Sequence, residues 1–202
     1  PYIDSKWETE INDVSNHSIW IGVYEILVKN KNIPNFYEFK QNLPLSDSNT
    51  IGFAARSEGR KNPRYLDGLP SMLFTNSIHF KSIWKRGMQM DTSKMKIYHY
   101  TPGFQDNFYN MDWGISHSCF GYSIFEAVDY GKLPILHGSW CKDLEYPYRA
   151  SSKKEFVDIY KRLINTSYLE KSKWFNLLKE FMINNYTNKD KWISDLLDIY
   201  NI

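Results

Sequence analysis

Residues 118–136, SCFGYSIFEAVDYGKLPIL, restrict the fold more than any other stretch of the chain. Gly121 and polar residues precede an apolar pattern of helical period, and Gly131 separates that pattern from the apolar run LPIL. A glycine directly after a helical pattern is typical of a helix C-terminus, and a short apolar run is typical of a buried strand. The stretch therefore predicts a turn, a helix and a buried strand in succession, as in parallel-sheet proteins.

The same alternation of strands and helices continues upstream. Residues 49–56 and 113–117 predict strands, and residues 94–103 predict a strand followed by a turn. Pro63 is placed for the first position of a helix, whereas residues 69–76 fit either a helix end or a strand. Strands that alternate with helices predict an α/β fold with an open, doubly wound parallel sheet.

Three helices are predicted in the last quarter of the chain, at residues 152–165, 167–183 and 188–200. Ser151 or Ser152 together with Glu155 makes a capping box at the start of the first of them. The sheet domain is therefore expected to carry a helical C-terminal tail.

The N-terminal part predicts helix and then a connector. Residues 5–30 predict one helix or two short helices, and residues 31–49, which contain two prolines and a polar end, predict a linker. The predicted domain organisation has three parts: a leading helix and linker at 1–48, the sheet domain at 49–150, and a helical tail packed on the same unit at 151–202.

Composition excludes several classes of protein. The chain is 42% hydrophobic and 17% aromatic, which suits a folded core and not a disordered chain, and no apolar run reaches membrane length. Two cysteines do not make a disulfide framework, and the histidines lack metal-ligand spacing. We expect a cytoplasmic protein, in the host cytoplasm if it is viral, that is part of a longer chain and has no membrane span.

Positive charge is concentrated in one window. Between Arg56 and Lys96 the chain has nine Lys/Arg and three Asp/Glu, although the net charge of the whole chain is only +2. Arg56 and Lys61 follow the predicted strand at 49–56, and ligands of parallel sheets bind beyond the carboxyl ends of the strands. Two such cations suit a diphosphate, and the alternative is a solvated basic turn.

A second candidate site lies at the start of the predicted helix in 118–136. Gly121 permits close approach of the backbone to a ligand, and unpaired backbone N–H groups at a helix start favour an anion. Glu126, about one turn into the helix, can accept hydrogen bonds from paired sugar hydroxyls. The alternative is an ordinary surface glutamate.

These segments resemble the C-terminal, donor-binding half of GT-B glycosyltransferases, nearest the large retaining group called family 4. GFAARSEGRK resembles the G-x-x-x-R…K segment of that family, with Gly52, Arg56 and Lys61 at matching positions. SHSCFGYSIFEAVDYGKLPI resembles its S-x-x-E-G-F-G-x-x-x-x-E-A-x-x-x-G-x-P-V motif, through Phe120, Gly121, Glu126, Ala127, Gly131 and Pro134. The resemblance spans about residues 10–140.

The resemblance implies a Rossmann-like domain that binds a nucleotide sugar, with UDP-glucose as the type of donor, and transfers the sugar with retention. It implies that Arg56 and Lys61 hold the diphosphate and act as catalytic residues, without a metal or cofactor, and that Glu126 holds the ribose. The other implied donor contacts are Gly52, Ser118, Cys119, Phe120, Gly121, Tyr122 and Ser123. An N-terminal half, in the same or another chain, is implied as the partner that carries the acceptor site.

One position departs from the family pattern, because the first glutamate of its spaced pair falls on Ser118. Phage DNA α-glucosyltransferases, which the chain resembles more weakly, keep only the second glutamate. The sugar therefore stays open, and the acceptor can be modified DNA or a glycan. Two alternatives also stay open: a non-catalytic nucleotide- or sugar-binding module, which Ser118 favours, and a DNA-interacting protein on a transferase-like fold, which the basic window favours.

Overall fold

The computed structural model describes residues 20–21, 32–33, 36–54, 63–75, 91–99, 105–118, 123–137, 141 and 143–200. The chain divides into two compact units, one formed by Phe39–Phe181 and the other by Pro1–Glu38 with Met182–Ile202. The three-part domain division made from the sequence stays a prediction.

In the smaller unit, strand β1 (Trp20–Ile21) pairs in parallel with strand β2 (Asn32–Ile33). Since Trp20 and Ile21 are extended, a single helix does not run through residues 5–30, and the alternative of two short helices falls on residues outside the described part. Aromatic and β-branched residues favour extended backbone, which accounts for the short strand at Trp20–Ile21.

A six-stranded parallel sheet forms the centre of the larger unit. Its strands are β3 (Ile51–Ala54), β4 (Ser71–Thr75), β5 (Met95–His99), β6 (Ile115–Ser118), β7 (Leu133–His137) and β8 (Arg149–Ala150). Their spatial order is β5-β4-β3-β6-β7-β8, and every pairing is parallel. This arrangement confirms the predicted fold class, a doubly wound Rossmann-like α/β sheet.

The described residues contain five α-helices: α1 (Gln105–Tyr109), α2 (Ser123–Asp129), α3 (Lys153–Leu163), α4 (Tyr168–Tyr186) and α5 (Lys189–Tyr200). A short 3-10 helix also begins at Pro63 and ends at Leu66, and α5 belongs to the smaller unit. The last three α-helices match the predicted helical tail. The Oγ atom of the N-cap Ser152 accepts from the N–H of Glu155 at 3.2 Å, as the predicted capping box requires. The returning bond differs from that motif by one residue, because a Glu155 oxygen accepts from the N–H of Ser151 at 2.7 Å. Among the described residues, no helix has both the length and the apolar character needed to cross a bilayer.

The two faces of the sheet carry different layers because side chains alternate along each strand. On one face Ala54, Met72 and Phe74 pack with residues of α1 and α2. On the other face Phe53 stacks on His117, which also contacts Phe156 of α3. Strand β8 was missed by the sequence analysis because two residues are too short to show a period.

The end of α2 is hydrogen-bonded to residues of the N-terminal connector (residues 31–49). The N–H groups of Gly131 and Lys132 donate to the carbonyls of Val128 and Ala127, a Schellman motif that ends the helix at the glycine, as predicted. Gly131 has a φ of 71°, and a Cβ atom built there would lie 1.9 Å from the Pro44 carbonyl oxygen. A side chain is therefore excluded both by the backbone conformation and by the connector.

The side chain of Asp129, in the last turn of α2, also binds the connector. Its carboxylate, which is buried, accepts from the backbone N–H groups of Lys40, Gln41 and Asn42 at 3.0, 2.9 and 2.7 Å. The N–H of Leu43 donates to the Asp129 carbonyl. Residues 40–46 are therefore bonded to the last turn of α2 and do not act as a free tether in this region.

Gly68 and Gly131 have the same left-handed backbone conformation but different surroundings. Substituting each of them by alanine therefore distinguishes the cost of the backbone conformation from the cost of the contact with Pro44. Gly68 has a φ of 72°, but its nearest neighbour for a built Cβ is an Asp91 oxygen at an ordinary 3.4 Å. We expect Gly68→Ala to lower the free energy of unfolding by about 1–2 kcal/mol, the cost of the left-handed region. Gly131→Ala should cost about 1–3 kcal/mol more because the connector must shift. Denaturant unfolding measures both, and equal losses would contradict the connector contact.

Candidate functional site

The candidate site lies where the chain reverses its direction of travel across the sheet. Strands β3 and β6 are neighbours, with Ile51 opposite Ile115 and Gly52 opposite Ser116. After β3 the chain moves to β4 on one side, and after β6 it moves to β7 on the other side. In open α/β sheets such a switch point opens a crevice at the carboxyl ends of the two strands, where ligands bind.

The sequence-predicted site residues follow these two strands. Gly52 lies in β3, Ser118 ends β6, Ser123 begins α2 and Glu126 lies one turn into that helix. Arg56, Lys61, Cys119, Phe120, Gly121 and Tyr122 lie outside the described residues. Both predicted segments therefore start from the same edge of the sheet, side by side.

Gly52 has a packing reason to be glycine. A Cβ atom built there would lie 2.1 Å from the ring of Trp113, which is fully buried. The Trp113 ring is fixed because its Nε1–H donates to the Phe108 carbonyl at 2.7 Å and the Lys132 ammonium lies 4.9 Å from its centroid. The strand that leads to the predicted diphosphate segment is thus seated directly on an aromatic ring.

Lys132 joins the turn before β6 to the turn before β7. Its buried ammonium donates to the carbonyls of Trp113 and Met111 at 2.7 and 3.1 Å. Burial lowers the pKa of Lys132 to about 8. These bonds fix the segment immediately before β6 relative to the end of α2.

The Glu126 carboxylate accepts a hydrogen bond from a buried tyrosine. The hydroxyl of Tyr109 donates to Glu126 Oε2 at 3.1 Å and lies 3.4 Å from the Ser123 carbonyl oxygen. Glu126 is half-buried, whereas Tyr109 is fully buried. The carboxylate at the first turn of α2 therefore has a defined protein partner.

A second tyrosine supports the first. The rings of Tyr109 and Tyr130 stack at 5.2 Å, and the Tyr130 hydroxyl donates to Asp106 Oδ1 at 2.8 Å. Burial, and then the hydrogen bond to Asp106, raise the pKa of Tyr130 to about 12. Tyr130 is therefore a neutral donor throughout the physiological pH range.

Two histidines lie near the carboxyl edge on the opposite face of the sheet. His117 is buried between the rings of Phe53, Tyr65 and Phe156. His137 ends β7, and its Nε2 lies 3.2 Å from the Tyr65 hydroxyl. Burial lowers the pKa of His137, which favours the neutral ring. Both histidines therefore pack against Tyr65.

The charged groups expected from the sequence are only partly described. Of the nine Lys/Arg in the basic window, Arg64, Lys94 and Lys96 are described, and all three are exposed. Within the described ranges, no three His, Cys, Asp or Glu side chains come together in a way that could hold a metal ion.

Three residues that shape this region were missed by the sequence analysis: Tyr109, Asp129 and Tyr65. Tyr109 and Glu126 are 17 residues apart, and Asp129 is 87–89 residues from the N–H groups it accepts from. Tyr65 and His137 are 72 residues apart. Contacts over such separations have no periodic signal in a single sequence.

No protein-family model matches the chain, and no curated protein sequence matches it. Several solved structures do resemble it. A mutant of S. aureus TarM in complex with fondaparinux, alpha-GlcNAc-glycerol and UDP superposes with a TM-score of 0.67 at 14% identity, over 98% of this chain and 46% of that chain. The pneumococcal O-GlcNAc transferase GtfA with UDP and GlcNAc gives 0.62 at 10% identity, over 97% and 47%.

A third similar structure is an alpha-glucosyltransferase in complex with UDP and DNA containing an HMU base. Its TM-score is 0.59 at 10% identity, over 83% of this chain and 55% of that chain. The chain thus spans about half the length of these solved structures. At such identities the likeness establishes the fold, which is that of a Rossmann-like half of a GT-B glycosyltransferase.

The contact between Gly52 and Trp113 leads to a stability prediction. We expect Gly52→Ala to lower the free energy of unfolding by about 1–3 kcal/mol, because the fixed ring leaves no room for a methyl group. Replacing Trp113 by Phe makes a smaller ring, so the double variant should lose less than the sum of the two single losses. Denaturant unfolding of the four proteins measures the coupling, and strictly additive losses would show that position 52 does not lie against the ring of residue 113.

Proposed function

We propose that this chain is the donor-binding half of a glycosyltransferase and that it binds a UDP-sugar at the carboxyl edge between β3 and β6. The observation that carries the proposal is the position of Glu126. It follows β6 at the switch point of the sheet, and its carboxylate is held by Tyr109. The similar solved structures named above contain UDP, which supports a uridine nucleotide as the ligand.

Each part of the proposed site meets one part of the nucleotide. Glu126 accepts hydrogen bonds from the ribose hydroxyls, and the backbone of residues 119–123 lies against the phosphates or the sugar. Arg56 and Lys61 hold the diphosphate, one as a bidentate fork and the other as a point charge. Because they neutralise charge that develops on the leaving diphosphate, they stabilise the transition state without a metal ion.

The transfer itself requires a second half. We also propose that the sugar is transferred with retention of configuration and that the chain belongs to family 4. Both proposals are supported by the sequence motifs at residues 52–61 and 118–136. The acceptor, a glycan or modified DNA, would bind mainly to an N-terminal GT-B half that is in the same or another chain. The share of the similar structures that this chain covers, 46–55%, supports that arrangement.

A second candidate function is a nucleotide- or sugar-binding module without catalysis. Ser118, at the end of β6, favours it because the family pattern has a carboxylate at that position. The complete sequence of the gene distinguishes the two candidates: an upstream GT-B half favours the transferase, and its absence from the gene and its neighbours favours the module. The basic window keeps DNA as a possible partner, which would bind with a steep dependence on salt.

Nucleotide binding tests the proposal directly. We expect UDP and UDP-sugars to raise the melting temperature more than the GDP or ADP series, since a ligand that binds only the folded state stabilises it. EDTA should leave the shift unchanged because Arg56 and Lys61 supply the positive charge. A strict requirement for Mg²⁺ or Mn²⁺ would contradict the metal-free arrangement, and no shift with any nucleotide would contradict the function.

The ribose role of Glu126 is tested by Glu126→Gln. The amide keeps the size of the side chain but loses its charge and one accepting oxygen. We expect UDP binding to weaken by about 1–3 kcal/mol in calorimetry at fixed salt, with little change in the melting temperature of the unliganded protein.

Pyrophosphate is the matched control ligand for this variant, because it lacks the ribose and should bind the parent and the variant almost equally. If Glu126→Gln binds UDP as tightly as the parent does, Glu126 has a structural role through Tyr109 and does not hold the ribose, and the donor-site assignment loses its main support.

A further inference from the structure

We propose that Tyr109 is a positioning residue for ribose recognition, acting through the Glu126 carboxylate. The inference rests on the proposed function, since it assigns a role to a residue behind the proposed ribose contact. Tyr109 lies at the end of α1, outside both sequence motifs, and its hydroxyl donates to Glu126 Oε2.

Two acceptors among the described residues lie within reach of the Tyr109 hydroxyl. A phenol has one proton to donate, and the Glu126 oxygen at 3.1 Å is closer than the Ser123 carbonyl oxygen at 3.4 Å. Hydrogen bonds to a charged acceptor are also stronger than those to a neutral one. The proton is therefore directed to Glu126 Oε2, and the carbonyl is a second neighbour.

Tyr109 is itself held rigidly. Its ring is 1% exposed and packs against Phe108, Trp113 and Tyr130, with centroid distances of 6.0, 5.5 and 5.2 Å. Trp113 in turn is fixed by its bond to the Phe108 carbonyl. The donor hydroxyl is thus mounted on a packed cluster that joins α1 to the segment before β6.

A rigid donor restricts a flexible acceptor. A glutamate side chain loses rotamer entropy when it is ordered. Tyr109 imposes that order before the ligand arrives, so less of the loss falls on binding. A carboxylate has about four lone-pair positions, so one bond from Tyr109 is compatible with further bonds from sugar hydroxyls.

The test compares UDP with 2′,3′-dideoxyuridine diphosphate, which lacks both ribose hydroxyls, on the 202-residue chain. The readout is the dissociation constant of the dideoxy nucleotide divided by the dissociation constant of UDP. Tyr109→Phe removes only the hydroxyl, and we expect it to weaken UDP binding about three- to tenfold, as for loss of one hydrogen bond. Binding of the dideoxy nucleotide should stay unchanged, so the ratio falls. A merely structural role would weaken both ligands equally.

Two further variants sharpen the test. Tyr130→Phe removes a hydroxyl from the same cluster, but its partner is Asp106 and not Glu126, so the ratio should equal that of the parent. The double variant Tyr109→Phe/Glu126→Gln should lose no more UDP affinity than Glu126→Gln alone, because Tyr109 acts through the carboxylate. If Tyr109→Phe lowers stability, the smaller folded fraction weakens the apparent binding of both nucleotides by the same factor, so the ratio still decides the case.

The outcomes separate this inference from the proposed function. A reduced ratio in Tyr109→Phe, with an unchanged ratio in Tyr130→Phe, supports it. An unchanged ratio in Tyr109→Phe together with a reduced ratio in Glu126→Gln overturns the role of Tyr109 and leaves the ribose site standing. If the parent does not distinguish the two nucleotides, the ribose role of Glu126 fails and the role of Tyr109 fails with it.

Discussion

The clasp between the last turn of α2 and residues 40–46 is the constraint on which the larger unit depends. The buried Asp129 carboxylate accepts from three consecutive N–H groups, and the N–H of Ser46 donates to the Gly131 carbonyl. Helix α4 holds the same connector from another side, since Tyr168 donates to the Leu45 carbonyl at 3.1 Å. Because α2 has only seven residues, fixing its C-terminal end also fixes the turn that carries Glu126.

The aromatic residues that pack between the sheet and helices α1 and α2 form a rigid platform, which holds the residues around the switch point in place. Trp113 meets Gly52 of β3 on one side and the ammonium of Lys132 on another, while Tyr109 reaches Glu126. A buried charge needs partners to offset its lost hydration, and the two carbonyls that Lys132 meets provide them. The platform therefore couples β3, the segment before β6 and the end of α2, the parts that surround the switch point.

The two sides of the proposed site differ in how the fold positions them. On the β6 side, Ser123 begins α2, and the Glu126 carboxylate accepts a hydrogen bond from Tyr109 at 3.1 Å. On the β3 side, Arg56 and Lys61 lie outside the described residues, and their diphosphate role stays a prediction from the motif. The likeness to solved glycosyltransferases, at 10–14% identity, carries the fold, while the function rests on the chemistry of these side chains.

The sequence by itself determined the α/β class, the parallel sheet, the helical tail, the capping box at Ser152 and the end of α2 at Gly131. Each of these follows from local conformational preference or from a hydrophobic period, which a few neighbouring residues encode. Only the tertiary structure decided the strand order with its switch point, the clasp by Asp129, the seat of Gly52 on Trp113 and the bond between Tyr109 and Glu126. These contacts join residues far apart in the chain, and long-range packing selects their partners without leaving a pattern in a single sequence.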